Sequence, residues 1–130
     1  MATERARFAF SLARHRLGPP DFARVYKAGR RAQGPVFTVA LIENGLERTR
    51  MGLSVSKRCV RAAVRRNRVR RILREAFRLA LPELPVGLDV VLIATASEPE
   101  LELEATRKEL VELVRRAQRK KPRRPREESR

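Results

Sequence analysis

The sequence predicts an α+β fold, built as a single two-layer domain. Three observations carry this. The chain has 130 residues, enough for one modest core. Its apolar residues gather in three strand-length runs, Val36–Ile42, Met51–Ser56 and Leu88–Thr95. Two further segments, about Arg61–Leu81 and about Leu103–Gln118, repeat their apolar residues at helical spacing. With a short helix at the start, these elements read α-β-β-α-β-α, before any short extra strand around Arg31–Gln33 is added. Hydrophobic residues make up 42% of the chain and aromatics only 5%, with no Trp, so the core must be mostly Leu, Val, Ile and Ala.

Residues 1–17 are basic and lack periodicity, and read as an arm that orders only partly on its own. The folded domain spans 18–118. Pro19 and Pro20 open its first helix, which runs to about Ala28 and stops at Gly29. Phe22, Val25 and Tyr26 fall on one face of it. A short strand around Arg31–Gln33 precedes Val36–Ile42. Glu43-Asn44-Gly45 is a turn signal, so Val36–Ile42 and Met51–Ser56 read as an antiparallel hairpin. In the second of these strands Leu53 and Val55 point to one face and Ser54 and Ser56 to the other. Pro82 stops the long helix, and Pro85 and Gly87 lead into Leu88–Thr95, apolar enough to be central and covered. Leu103, Leu110, Val114 and Ala117 share one face of the last helix. Residues 119–130, RKKPRRPREESR, hold seven basic residues, two acidic and no apolar ones, and read as a disordered basic tail.

Lys and Arg total 31 against 15 Asp and Glu, a formal charge of +16. The tail contributes +5, so the rest of the chain keeps +11. A compact body with that charge repels itself, and a polyanion relieves the repulsion. Nucleic acid is the first candidate. A membrane is weaker: no apolar run approaches the ~20 residues of a spanning helix, and Phe8–Ala13 is too short and too interrupted for a secretory signal. Cys59 is the only cysteine, which excludes an internal disulfide and fits a reducing cytoplasm. Cys59 and the lone His15 are far apart and form no thiol or metal motif.

The most informative segment is Arg61–Arg78. It holds eight arginines, at 61, 65, 66, 68, 70, 71, 74 and 78, and one acid, Glu75. On a helical wheel Val69, Ile72, Leu73, Ala76 and Ala80 cluster within about 60° of one direction, with Phe77 at the margin. Asn67, Arg70, Arg71, Arg74 and Arg78 cluster opposite, with Arg68 and Glu75 beside them. Arg65 and Arg66 belong to the exposed helix start. A charge run is usually a solvated face. Such faces mix signs, because opposite charges at i,i+4 help by ~0.2–0.5 kcal/mol and like charges hurt similarly. Here Arg70–Arg74 and Arg74–Arg78 repel, and only Glu75 offsets them, through Arg71 or Arg78. Arginine throughout also matters, since its planar fork grips phosphates and stacks on bases.

These residues resemble a known family. Arg66-Asn67-Arg68-Val69-Arg70-Arg71-Ile72-Leu73-Arg74-Glu75-Ala76-Phe77-Arg78 is similar to the signature of the bacterial ribonuclease P protein family, roughly R-N-R-x-K/R-R-x-x-R-E-x-F-R. Ser54-Val55-Ser56-Lys57-Arg58, behind Gly52-Leu53, resembles the piece that precedes it. Asp21-Phe22, Val25-Tyr26 and Gly29 resemble the family's first helix, and Leu88–Ala94 its last strand. The resemblance covers about residues 15–118. It implies an α-β-β-β-α-β-α sandwich, ribosomal-protein-like, with a left-handed crossover at the arginine-rich helix, where chirality rules alone favour the right hand. It implies the protein subunit of ribonuclease P, which binds a catalytic RNA and the 5′ leader of precursor tRNA and promotes removal of that leader. The catalytic site and its Mg²⁺ then belong mainly to the RNA.

Carried over by position, Arg66, Asn67, Arg68, Arg70, Arg71, Arg74 and Arg78 serve the RNA face. Phe22, Tyr26 and Phe37 line a leader cleft between the first helix and the sheet, with Lys57 and Arg58 at its edge. Rings beside cations suit single strands, where every base has a face to stack and every link a phosphate. The sequence departs from the family at Ala40, where many members carry a further aromatic. Arg70 replaces a usual Lys and keeps its charge. In a chain poor in aromatics, Phe22, Tyr26 and Phe37 also have core packing open to them, and Phe77 reads as packing. Asp89 and the acids of Glu98–Glu104 read as solvation rather than as metal ligands. No catalytic constellation stands out. A structural rRNA-binding protein, a DNA-binding regulator and a free-standing nuclease remain the competing readings, the last two opposed by the lack of helix-turn-helix spacing and of a nucleophile or carboxylate pair.

Overall fold

The computed structural model describes residues 15–120. Most of the arm (1–14) and the tail from 121 lie outside the described residues. The elements are α1 (Pro19–Ala28), β1 (Arg30–Gln33), β2 (Phe37–Glu43), β3 (Arg50–Ser54), α2 (Ala63–Ala80), a 3₁₀ turn (Leu81–Glu83), β4 (Leu88–Ala94) and α3 (Leu103–Gln118). Their order is the α-β-β-β-α-β-α that the family resemblance implies.

The strand pairing corrects the hairpin expectation. The four-stranded sheet runs β1-β2-β4-β3. β1 and β2 form the antiparallel hairpin. β2 pairs antiparallel with β4 from Phe37↔Ala94 to Glu43↔Leu88, and β3 pairs parallel with β4 from Arg50↔Asp89 to Ser54↔Ile93. β2 and β3 therefore never touch as neighbours. β4 takes the place between them because it is the strand buried on both faces, with all but Ile93 buried. The link from β3 to β4 is a crossover through α2, as adjacent parallel strands require.

One face of the sheet packs under α2 and α3. Phe37, Val39 and Leu41 of β2 and Leu88, Val90 and Leu92 of β4 meet Val69, Leu73 and Phe77 of α2 and Leu110, Leu113 and Val114 of α3 there. Phe77 is fully buried and Ile72 only partly, so the buried stripe of α2 is turned toward Phe77 relative to the expected one. The other face is partly covered by α1, where Val25 packs with Leu17, Ala40 and Val91. Pro19 and Pro20 fill the first turn of α1, where missing N–H groups cost nothing. The helix ends where Gly29 donates to the Val25 carbonyl at 2.8 Å. A Cβ at Gly29 would stand 2.5 Å from that oxygen and 3.0 Å from the Leu41 nitrogen, so only glycine lets α1 meet β2 this closely.

The end of the arm belongs to the folded body. Leu17 donates its N–H to the Met51 carbonyl at 3.0 Å, and Arg16 makes a parallel bridge with Met51 on the free edge of β3. His15 and Leu17 are buried.

Candidate nucleic-acid interface

α2 lies along the β3 side of the molecule, its apolar stripe against α3 and the sheet and its arginines outward. Asn67, Arg68, Arg71, Arg74 and Arg78 are exposed, and Arg70 is half-buried. Among the described residues Arg68, Arg71 and Arg74 have no hydrogen-bond or ion-pair partner. Arg70 Nη1 lies 3.4 Å from Asn67 Oδ1. Arg78 forms a two-pronged pair with Glu75, at 3.0 and 2.5 Å. That contact holds the Glu75 carboxyl below its ordinary range, chiefly through the hydrogen bond from Arg78. Glu75 thus neutralises one end of the ridge and leaves its middle bare.

The start of α2 is built differently. Ala62 caps it without a side-chain bond, and no acid stands in its first turn. Arg65 and Arg66 there face the positive end of the helix dipole. Arg66 turns back, donating Nη1 to the carbonyls of Val60 at 3.2 Å and Arg61 at 2.8 Å. Arg65 Nε reaches Glu98 at 2.9 Å, and the same carboxylate accepts the Arg61 N–H at 3.1 Å. Glu98 has φ 45, the only positive φ outside glycine among the described residues, and its own N–H bonds the Cys59 carbonyl at 2.7 Å. A distant loop thus supplies the acid that the helix start lacks.

Between α1 and α2 opens a groove of about 590 Å³. Its floor is Met51, Gly52 and Leu53 of β3. One wall is Leu17, Pro19 and Phe22, and the other carries Arg70 and Arg74, with Arg16 at the arm. The cations of the α2 ridge and the first aromatic of α1 thus share one cavity. Gly52 makes the groove possible, since a Cβ there would stand 2.6 Å from the Phe22 ring.

Phe22 continues into Tyr26, with ring centroids 6.2 Å apart and planes 17° apart. Tyr26 is 43% exposed. α1 is tied to the sheet by a polar cluster next to the groove floor. Asp89, fully buried on β4, accepts Arg50 Nε and Nη2 at 2.8 Å each, Asn44 Nδ2 at 2.8 Å and Arg24 Nη2 at 3.4 Å. Asp21 reaches Arg24 at 3.2 Å and Arg50 at 3.4 Å. The bond to Asp89 pushes the Arg50 guanidinium above its ordinary range.

Of the expected leader residues, the structure brings Phe22 to the groove beside Arg70 and Arg74. Tyr26 extends Phe22 outside the groove walls. Lys57 and Arg58 are exposed in the turn after β3 and do not line the groove. Phe37 is a correction. It is 1% exposed and packs in the core under α2 and α3, on the opposite face of the sheet from α1. Strand alternation explains it: Phe37, Val39 and Leu41 share one face, and Thr38, Ala40 and Ile42 the other. Sequence reasoning missed Arg16, Gly52 and the Asp89 cluster. A buried acid in an otherwise apolar strand was the available signal for the last.

A family profile described as Ribonuclease P matches residues 10–118. The ribonuclease P protein component of Coxiella burnetii (strain Dugway 5J108-111) is 42% identical over 94 residues, which cover 72% of this chain and 74% of that one. The one from Salmonella paratyphi A is 38% identical over 110 residues, covering 85% and 92%. Among solved structures, the RNase P protein from Thermotoga maritima aligns with TM-score 0.66 and 30% identity over 83% of this chain and 96% of that one. The Staphylococcus aureus RNase P protein aligns with TM-score 0.66 and 28% identity over 79% and 94%.

Proposed function

Since the chain belongs to the ribonuclease P protein family, we propose that its α2 ridge holds the catalytic RNA and that the groove beside it holds the 5′ leader of precursor tRNA. The chain is the protein subunit of a ribonucleoprotein endoribonuclease that makes mature tRNA 5′ ends. Its RNA face is Arg66, Asn67, Arg68, Arg70, Arg71, Arg74 and Arg78. The leader path runs over Phe22 and Tyr26, with Lys57 and Arg58 near the end of β3. Phe37 has no part in it.

One observation supports this reading most. Arg70 and Arg74 stand on the RNA ridge and also in the wall facing Phe22. A single strand entering the groove finds an apolar ring for a base and guanidinium groups for the adjoining phosphates. The same helix then grips the catalytic RNA on its outer side and sets the two chains side by side.

The chemistry of phosphodiester hydrolysis falls to Mg²⁺ held mainly by the RNA, which supplies an activated water and stabilises the leaving oxygen. This chain's residues neutralise phosphates and position the leader. Asp89 takes no part, since both its oxygens are occupied by Arg50, Arg24 and Asn44. We place this work in the cytoplasm. Cys59 has no partner for a disulfide, and no helix among the described residues is long and apolar enough to cross a membrane.

The test is cleavage of a precursor tRNA at low Mg²⁺ by a bacterial ribonuclease P RNA alone, by this protein alone, and by the two mixed. Efficient cleavage at the mature 5′ end by the mixture alone is expected. An RNA indifferent to the protein would overturn the reading, and cleavage by the protein alone would mean a nuclease site in this chain.

A further inference from the structure

The aromatic pair on α1 does not end at Tyr26. Arg31 of β1 places its guanidinium carbon 4.9 Å from the Tyr26 ring centroid. It also donates Nη2 to the Tyr26 carbonyl, which fixes the group in place. Phe22, Tyr26 and Arg31 thus form one continuous row of three flat groups. The strand register explains how Arg31 gets there. It stands directly opposite Ala40 of β2, and residues so paired share a face of the sheet. Ala40 is fully buried and ends at a methyl group, so at this register β2 sends no large side chain toward α1. The Arg31 stem crosses that space instead. This is the position where the sequence lacks the further aromatic that its resemblance leads one to expect.

We propose that Arg31 is a leader-binding residue, whose guanidinium stands in for a third ring and takes one more nucleotide of a single-stranded RNA. This rests on the reading of the α1 side as the leader path. The guanidinium plane stacks on a base as a ring does, and its edge adds donors for the adjoining phosphate. Among the described residues its guanidinium makes one hydrogen bond, to the Tyr26 carbonyl, and its Nε has no partner, so the group keeps donors unspent. Arg24 and Arg50, by contrast, are tied to Asp21 and Asp89. Because Tyr26 already holds Arg31, little side-chain freedom is lost when RNA arrives.

The test uses holoenzyme reconstituted with a bacterial ribonuclease P RNA. Binding is measured for mature tRNA and for precursors with leaders of increasing length. Arg31→Ala is expected to weaken binding of long-leader precursors about tenfold, the scale of one lost stacking contact. Mature tRNA and the shortest leader should bind as before, and the melting temperature should hold. Arg31→Lys keeps the charge without the plane and should recover only part of the loss. Adding Ala40→Tyr to Arg31→Ala should recover more, by putting a ring back beside Tyr26. An unchanged long-leader affinity in Arg31→Ala, with the wild type still preferring precursors, overturns this inference alone. Equal loss for precursor and mature tRNA overturns it in favour of a packing role, as does full recovery by lysine in favour of charge alone. A wild type that does not distinguish precursor from mature tRNA overturns the leader reading itself.

Discussion

Asp89 shows how far single residues carry the geometry of this site. It is a carboxylate with no exposed surface, in a strand otherwise made of Leu, Val, Ile and Ala. A buried charge persists only when paired and hydrogen-bonded, and the Arg50 fork meets both oxygens. Truncation to Ala would leave Arg50 partly buried without its two-pronged partner and with only the longer contact to Asp21. Asp89→Ala should therefore lower stability by about 3 kcal/mol, read as an earlier urea midpoint at unchanged slope. An unmoved midpoint would mean that desolvation cancels the whole cluster. At this scale much of the site was legible. The arginines of α2 could be placed from 100° steps alone, and Glu75 was recognisable as a partner for Arg71 or Arg78, of which the structure takes Arg78. Phe37 was not, because a motif position says nothing of which face a ring takes. Yet its own strand held the answer, with large apolar residues at 37, 39 and 41 against Thr38 and Ala40. The Arg31–Tyr26 contact was beyond reach, since it depends on which residue of β2 lies opposite Arg31.

The elements themselves were the most legible part, and their pairing the least. Apolar period and proline placed three helices and three of the four strands close to their observed bounds. The expected hairpin of Val36–Ile42 with Met51–Ser56 followed the general preference of sequential strands to be neighbours. It was at odds with the reading of Leu88–Thr95 as central, because a central strand needs a neighbour on each side. Burial decided between them: β4 can satisfy its two apolar faces only inside the sheet. α2 carries the element-scale prediction. Arg71 and Arg74 are exposed, unpaired among the described residues, and on the outer ridge. Each phosphate they neutralise adds ~0.7–0.9 to the salt slope of log K. Replacing both by Ala should flatten the slope for catalytic RNA by about 1.4–1.8, with α-helical content kept in circular dichroism. A slope equal to wild type would remove the ridge from the interface.

For the whole molecule, the dominant fact is a charge of +16 on 130 residues. The ion pairs of the described residues gather at the α1 cluster, at Glu98, Glu75 and Glu43, and around Arg107, and leave the middle of the ridge unscreened. Self-repulsion over such a body reaches far at low salt, where the Debye length is about 30 Å at 0.01 M, and fades near 8 Å at 0.15 M. The melting temperature of the free protein should therefore climb as sodium sulfate is added from low ionic strength. A fall over the same range would mean that the internal pairs outweigh the repulsion. The sheet order has a further consequence, for the way the protein is made. β3 has no neighbour within the sheet until β4 arrives, and β4 follows the whole of α2 in the chain. A ribosome must therefore deliver residues through Ala94 before the strand that floors the groove is pinned in place. Until then the arginine segment is a loose polycation emerging beside ribosomal RNA, with its apolar stripe uncovered. The arrival of β4 and then of α3, which covers that stripe, turns it from a nonspecific adhesive into a shaped surface, so fold and selectivity are acquired together.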